Sequence, residues 1–149
     1  MSCGDDESGR PSLMADHPAA RGLAALRDGD PRLALVWFDK LVEQEPGGVP
    51  GHFLRAEALD RLGDFVQLRA ILADLLTRFP FAEAACRERL ALLELREGHR
   101  EAAIAELERA VASGWSNVDA LSVIPAGAAL AADPALGTLF SRARANLAE

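Results

Sequence analysis

Three arginines recur at the same place in successive segments of the chain, and their chemistry suits ligand binding. Arg27, Arg61 and Arg96 each stand two residues before a glycine, and they lie 34 and 35 residues apart. A guanidinium stays charged and can hold a carboxylate through two hydrogen bonds, so a row of them would suit acidic side chains or a chain-terminal carboxylate. The alternative is that each arginine ends a helix, complements the helix dipole and points into solvent.

The groups that usually carry catalysis or hold metal ions are scattered along the chain. His17, His52 and His99 lie far apart, and none has a nucleophile or a metal-ligand partner at motif spacing. We expect His99 to be exposed at a turn. Cys86 has two arginines within three residues, which would favour a thiolate, but it follows two alanines in a helical pattern. We therefore expect Cys86 to be a small packing residue.

Carboxylates one helical turn apart have the spacing of an acid/base pair, as in Glu57 with Asp60 and Glu94 with Glu97. Helices rich in Glu and Arg place like and opposite charges at this spacing, so we interpret these pairs as a solvated face. The sequence has no glycine-rich phosphate loop, GxSxG elbow or HExxH run. We expect no catalytic residue, no metal site and no cofactor.

Length and charge limit the class of protein. A chain of 149 residues fits one domain, and a net charge of −7 lacks the basic surface that a nucleic-acid backbone requires. No run approaches 18 apolar residues, and residues 1–10 have neither the basic nor the apolar part of a secretory signal. Two isolated cysteines fit reduced thiols. We expect a cytoplasmic protein that binds neither nucleic acid nor membrane.

Helix pairs joined by glycine turns would position the arginines. Gly29, Gly63 and Gly98 keep the same 34- and 35-residue spacing. A small residue stands seven positions before each glycine, where two helices must approach closely. Apolar residues stand five and nine positions after each glycine, on one face of the second helix. The small residues are Gly22, Ala56 and Ala91, and the later pairs are Ala34 with Phe38, Leu68 with Leu72, and Ala103 with Leu107. Pro46 and Pro80 then separate successive helix pairs.

This pattern resembles the tetratricopeptide repeat family, whose period is about 34 residues with a turn between two helices. The resemblance implies an all-α fold, a short right-handed α-solenoid of about three helix pairs with a C-terminal helical cap. The predicted repeats cover about 15–48, 49–82 and 83–116. Ahead of them, residues 1–14 are predicted to be a flexible acidic leader.

The sequence departs from the family pattern at several positions. Pro18, His52 and Arg87 stand where an early aromatic residue is expected, and Trp115 stands where the third repeat would have proline. We expect Trp115 to mark the change from repeat to cap, with the cap over 117–149. Between 115 and 132 we predict one or two short helices, and Asp133-Pro134 would begin a final amphipathic helix.

The family resemblance implies that the first helix of each pair lines a concave groove for another protein or a peptide. The groove residues predicted in this way are Leu23, Leu26, Arg27, Phe53, Glu57, Asp60, Arg61, Glu88, Arg89, Leu92, Leu95 and Arg96. Some members of the family grip the C-terminal carboxylate of chaperones with Lys and Asn residues. The corresponding positions here are Ala19, Leu23, Leu54, Ala85 and Arg89. Only Arg89 fits, so we expect no such clamp.

Two other functions remain open from the sequence. The apolar tail around Trp115, Ile124 and Phe140 could mediate self-association or packing on a larger partner, which would make the protein a structural or assembly component and would allow a homodimer. An enzyme or small-molecule binder would need a closed pocket with convergent polar groups, which the sequence does not display. The leading prediction is a non-enzymatic adaptor or regulatory scaffold that binds a protein segment.

Overall fold

A computed structural model describes residues 16–148, and every regular element in that range is helical. The prediction of an all-α chain is confirmed for this range. The α-helices are α1 (Pro18–Arg27), α2 (Pro31–Gln44), α3 (Val49–Leu62), α4 (Phe65–Arg78), α5 (Glu83–Arg96), α6 (Arg100–Ala112), α7 (Pro125–Ala131) and α8 (Gly137–Leu147). Short 3₁₀ helices span Pro80–Ala82, Val118–Val123 and Pro134–Leu136. The predicted leader, 1–14, lies outside the described residues.

Two compact units divide the described chain, residues 16–71 and residues 72–148. The division falls inside α4 and inside the second predicted repeat. The first unit therefore holds α1, α2, α3 and the start of α4. The second unit holds the end of α4 and all later helices.

Proline and capping side chains define where the first helices begin. Both α1 and α2 start with a proline, whose missing N–H would have no partner in the first helical turn. His17 Nδ1 accepts a hydrogen bond from the Ala19 N–H at 3.2 Å, and the Asp30 carboxylate accepts one from the Leu33 N–H at 3.1 Å. Each cap satisfies a backbone donor that the helix cannot satisfy itself.

The predicted glycine turns are left-handed, with φ of 79° at Gly29, 76° at Gly63 and 81° at Gly98. A fourth glycine, Gly114, has φ of 103° and was not among the predicted turns. The residue after each glycine donates to a carbonyl five positions earlier, which satisfies a free acceptor at the helix end. The four bonds are Asp30 to Ala25, Asp64 to Leu59, His99 to Glu94 and Trp115 to Ala110, at 2.8–3.1 Å.

The first unit is held together by small and large residues packed across its helices. Phe38 of α2 is fully buried and lies directly over Gly22 of α1, so close that a Cβ on Gly22 would stand 2.2 Å from the ring. Helix α3 packs on this core through Ala58 and Leu54. The same buried cluster contains Ala25, Leu26 and Ala34, and Leu35 packs against it. The small residue at position 22 therefore permits the close approach that its spacing predicted.

The second unit has a core that runs from α5 and α6 into the C-terminal segment. Its buried members are Ala91, Leu95, Ala103, Leu107, Ala110, Val111, Trp115, Val118, Leu121, Leu130, Phe140 and Ala143. Gly127 of α7 lies against the backbone of Leu121, where a Cβ would stand 2.1 Å from the carbonyl oxygen. The Asn146 amide donates to the carbonyls of Val111 at 3.0 Å and Trp115 at 2.9 Å, which joins α8 to the end of α6.

Candidate functional site

The first unit contains seven of the predicted groove residues, and they differ in exposure. On α1, Leu23 is 40% exposed and Arg27 is exposed, whereas Leu26 is 7% exposed and belongs to the core. On α3, Phe53 is partly buried, as are Glu57 and Asp60, while Arg61 is exposed. Leu26 therefore supports the helix pair from inside, and the exposed apolar surface on α1 comes from Leu23.

Arg61 joins two of the helices that the sequence analysis assigned to the groove. Its Nε donates to the Glu57 carboxylate at 3.0 Å within α3, and its terminal nitrogen donates to the Leu26 carbonyl of α1 at 3.4 Å. A cation at the carbonyl end of a helix is favourable because the helix dipole is negative there. Arg61 thus stabilises the fold by binding the end of α1, a contact that differs both from a ligand ladder and from an arginine that points into solvent at the end of its own helix.

The three arginines do not have equivalent surroundings. Arg27 has no carboxylate within ion-pair distance among residues 16–148, in contrast to Arg61. Arg96 lies at the exposed end of α5. Their similar spacing in the sequence places each arginine near a glycine turn, but the side chains have different partners there.

Helix α5 carries the predicted groove residues of the second unit. Glu88 accepts a hydrogen bond from the indole nitrogen of Trp115 at 2.8 Å, so it is engaged by the segment that follows α6. Leu95 is 6% exposed and belongs to the core, with Leu92 packed against that core from outside. Arg89 is partly buried. Of this set, Glu88, Arg89, Leu92 and Arg96 retain accessible surface, whereas Leu95 is a core residue.

Two positions that depart from the family pattern have structural partners. His52 is 1% exposed, and its Nε2 lies 2.9 Å from the Pro46 carbonyl oxygen. Arg87 donates to Glu83 at 3.1 Å and to Glu106 of α6 at 2.9 Å. Burial lowers the pKa of Arg87, but the two carboxylates outweigh it and leave the pKa above its ordinary value. Each residue therefore ties its helix to a neighbouring segment.

Cys86 is a packing residue, as its sequence context predicted. It is fully buried, and burial raises the pKa of its thiol to about 11 despite the nearby positive charges of Arg89 and Arg87. A thiol with such a pKa is protonated near neutral pH and is a poor nucleophile.

A small apolar cavity of about 230 Å³ lies between the α5–α6 turn and α7. Its lining residues are Leu95, Gly98, Arg100, Ala126, Ala129 and Leu130. Arg100 is the charged member, and it pairs with Asp133. The cavity is below the usual volume of a small-molecule site, and it offers one polar group that already has a partner.

Three side chains at the same turn could hold a cation. Glu94, Glu97 and His99 place one ligand atom each within 4.8 Å of the others, and His99 Nδ1 lies 3.3 Å from a Glu94 oxygen. The left-handed Gly98 lies between Glu97 and His99, so the three residues do not have the spacing of ligands on one helix. The sequence therefore gives no sign of this cluster. The His99 side chain is 59% exposed, as the sequence predicted for this turn, so packing does not fix this ligand in place, whereas the Glu94 side chain is 14% exposed.

The apolar tail proposed for self-association lies largely in the core. Trp115 is 3% exposed and Phe140 is 1% exposed, and both pack within the second unit. Ile124 is partly buried against the same core. The exposed apolar side chains of the tail are instead Val123 and Leu147. A contact surface built from Trp115 and Phe140 would require the cap to open.

Trp37 was not singled out from the sequence, although it lies beside two cations. The Arg21 guanidinium is 5.0 Å and the Lys40 ammonium 4.7 Å from the ring centroid. The apolar pattern of α2 includes residues on both faces, so periodicity alone could not separate Trp37 from the buried Phe38. Its partial exposure at an open groove is visible only in the structure.

No helix among residues 16–148 is both long enough and apolar enough to cross a membrane. Comparison with protein-family models, with curated proteins and with solved structures finds no match.

Proposed function

We propose that this chain is a tetratricopeptide-type interaction module, a short right-handed α-solenoid that binds a segment of another protein. The observation that carries the proposal is the recurrence of one turn geometry at the repeat period. Gly29, Gly63 and Gly98 are all left-handed, and each is followed by the same backbone hydrogen bond to a carbonyl five residues earlier. One turn of this kind is common at helix ends, but three at the same period support a repeat.

Partly exposed apolar side chains on the first helices support a binding role. Leu23 of α1 is 40% exposed, and Phe53 of α3 and Leu92 of α5 keep part of their surface accessible. Ala56 and Ala91, which stand seven residues before Gly63 and Gly98, are fully buried. The first helices therefore combine a buried face that fixes them with a second face that offers apolar contacts to a peptide.

The proposal assigns no reaction and no cofactor to the chain. A cytoplasmic location is part of it, because a reduced, buried Cys86 suits a reducing compartment. The partner is a protein or peptide, and acidic side chains on it could pair with Arg27 at the rim.

A capture experiment with matched surface variants tests this function. The test variant combines Leu23→Ala with Phe53→Ala, and it spares Arg61 because that side chain holds the end of α1. The control variant combines Val123→Ala with Arg142→Glu, two exposed residues of the C-terminal segment. Thermal unfolding must first establish that the test variant is folded.

The readout is mass spectrometry of proteins retained from native lysate, followed by calorimetry with the purified partner. We expect wild type and control to retain a common protein with micromolar affinity, about −8 kcal/mol, and the test variant to lose it. Retention of the same protein by all three would place the interaction elsewhere and remove the groove from the proposal.

A further inference from the structure

An open groove lies between α1 and α2 on the first unit, and it shares Arg27 with the predicted concave site. Its volume is about 580 Å³. The lining residues are Ala20, Arg21, Ala24, Ala25, Arg27, Asp28, Leu33 and Trp37. Beside it on α2, Leu33 is 45% and Val36 is 51% exposed. Leu33, Val36 and Trp37 follow one another at helical spacing, so α2 presents an apolar strip to the outside. Lys40 stands one turn further along, at the end of this strip.

The repeat register identifies what this face does in the next helix pair. Ala20 and Ala24 stand nine and five residues before Gly29, and Leu54 and Ala58 stand at the same distances before Gly63. Leu54 and Ala58 pack against the core of the preceding helices, α1 and α2. The corresponding face of α1 has no preceding helix pair in the described chain, because α1 is its first α-helix. This face of α1 therefore has the register of a face that packs on helices elsewhere in the chain, and no helix of the described residues precedes it.

The opposite end of the described chain shows how such a face is covered. Helix α8 follows the last helix pair and packs on α6, with Phe140 buried beneath it. Repeat arrays need a capping element at each end because the last apolar face would otherwise contact water. On α1 and α2, alanines at positions 20 and 24 leave room for a helix backbone to approach closely.

The charges around the groove select the kind of helix. Arg21 and Lys40 both lie on the Trp37 ring, and Arg27 stands at the other end of the groove. Lys40 and Arg27 have no carboxylate partner within ion-pair distance among residues 16–148, whereas Arg21 pairs with Asp16. Among the described residues of the lining, Asp28 alone is acidic. A helix with carboxylates on both flanks would place one near each of the two unpaired cations.

We infer that the α1–α2 groove binds an acidic amphipathic helix from a partner protein, with its apolar side against Leu33 and Trp37. A second copy of this chain fits less well, because a two-fold contact through this face would oppose Lys40 and Arg27 of one copy to the same cations of the other. Phe53 and Leu92 of the proposed concave groove take no part in this site, and Arg27 lies at the edge of both.

The test uses the full chain and a designed, tryptophan-free helical peptide of about 18 residues, roughly 27 Å long. The peptide has leucines at positions i, i+3, i+4 and i+7 and glutamates on both flanks. One control peptide replaces every flanking glutamate with lysine, and a second replaces the leucines with serine. Fluorescence anisotropy of the labelled peptide gives the affinity. The emission of the Trp37→Phe variant, which comes from Trp115, is subtracted from that of wild type, and the difference reports contact at Trp37.

We expect micromolar binding of the acidic peptide, a blue shift of Trp37 emission, and weakening by salt. Trp37→Ala and Lys40→Glu should each reduce affinity about tenfold or more, and Ala24→Glu should abolish binding by blocking close approach. Arg142→Glu, a charge reversal on the exposed surface of α8, is the matched control and should leave affinity unchanged.

Three results would overturn the inference. One is equal or tighter binding of the lysine-flanked peptide, and another is no binding of the acidic peptide up to about 1 mM. The third is a concentration-dependent dimer that disappears in Trp37→Ala, which would assign the face to a second copy. Because none of these variants alters Phe53 or Leu92, failure here leaves the test of the concave groove independent.

Discussion

The indole nitrogen of Trp115 donates a hydrogen bond of 2.8 Å to the carboxylate of Glu88, 27 residues earlier in the chain. Trp115 is buried, and it comes directly after the left-handed Gly114 that ends α6. Asn146 of α8 donates to the Trp115 carbonyl at 2.9 Å. One residue therefore joins α5, the end of α6 and the final helix.

Replacing Trp115 with Phe should destabilise the fold by about 1.5 kcal/mol, because the ring stays buried while a charge-assisted hydrogen bond is lost. Chemical denaturation followed by far-UV circular dichroism measures the change. Glu88→Gln keeps an acceptor and should cost less than Glu88→Ala. In the Glu88→Ala background the Trp115→Phe change should cost much less, and equal costs in both backgrounds would show that the bond contributes nothing.

Replacing Gly98 with Ala should destabilise the chain by about 1–2 kcal/mol, since φ at this residue is 81° and a Cβ makes the left-handed region unfavourable. No atom lies within 4 Å of the added Cβ, so the cost comes from the backbone alone. Gly98→Asn should cost less because asparagine tolerates this conformation.

Gly137 is the matched control for this backbone effect. A Cβ added there would also meet open space, but the φ of Gly137 is −56° at the start of α8. Gly137→Ala should therefore stabilise the fold by about 0.4–1 kcal/mol, by restricting the unfolded chain. Loss of stability in both variants to the same extent would contradict the turn interpretation.

Local chemistry explains which parts of the structure were predictable. A left-handed turn requires glycine whatever surrounds it, so Gly29, Gly63 and Gly98 are visible in the sequence, and so is the helix period between them. Gly114 follows the same rule, but no fourth repeat continues beyond it in the described chain to supply a matching interval. Gly114 stands 16 residues after Gly98, at the end of the second helix of a pair, so the 34-residue spacing does not mark it.

Side-chain partners across elements were not predictable in the same way. Arg61 and Arg27 occupy equivalent positions, yet Arg61 binds the Leu26 carbonyl while Arg27 has no preceding helix pair to reach within the described residues. Trp37 and Phe38 are neighbours in one apolar run, and their exposure depends on which face of α2 another helix covers. Periodicity gives the direction of a side chain but does not say what lies in that direction.

Replacing Gly22 with Ala should destabilise the first unit by about 1–3 kcal/mol, because the new Cβ would meet the Phe38 ring at 2.2 Å. The test is a denaturation series in which Phe38→Leu is added to Gly22→Ala. Removing the ring should make the alanine nearly neutral, so the two changes should be strongly non-additive. Additive losses would mean that the cost of Gly22→Ala does not come from contact with the Phe38 ring.

Cys86 should resist thiol reagents in the folded protein, because its side chain is fully buried and burial raises the pKa of the thiol to about 11. A Cys3→Ser variant isolates this thiol, and Ellman's reagent at mildly alkaline pH measures its rate of modification. Reaction should become rapid only in denaturant. In the same Cys3→Ser background, Val123→Cys with Cys86→Ala gives the rate of an exposed thiol for comparison, and similar native rates would contradict the packing role.

The stabilisation supplied by Asp133 should disappear in acid. A hydrogen bond from the Ala135 N–H and the pairing with Arg100 hold the pKa of this carboxyl below its usual 3.8. The folded chain therefore binds this proton less readily than the unfolded chain, so the stabilisation is present above about pH 4 and is lost as the pH falls through the folded-state pKa.

Asp133→Asn isolates the charge, because the amide oxygen can still accept from the Ala135 N–H while the ion pair with Arg100 is removed. Thermal unfolding from neutral pH to about pH 2.5 should show wild type above the variant at neutral pH and the two converging in acid. A gap that stays constant over this range would mean that the difference between the proteins does not depend on ionisation of the carboxyl.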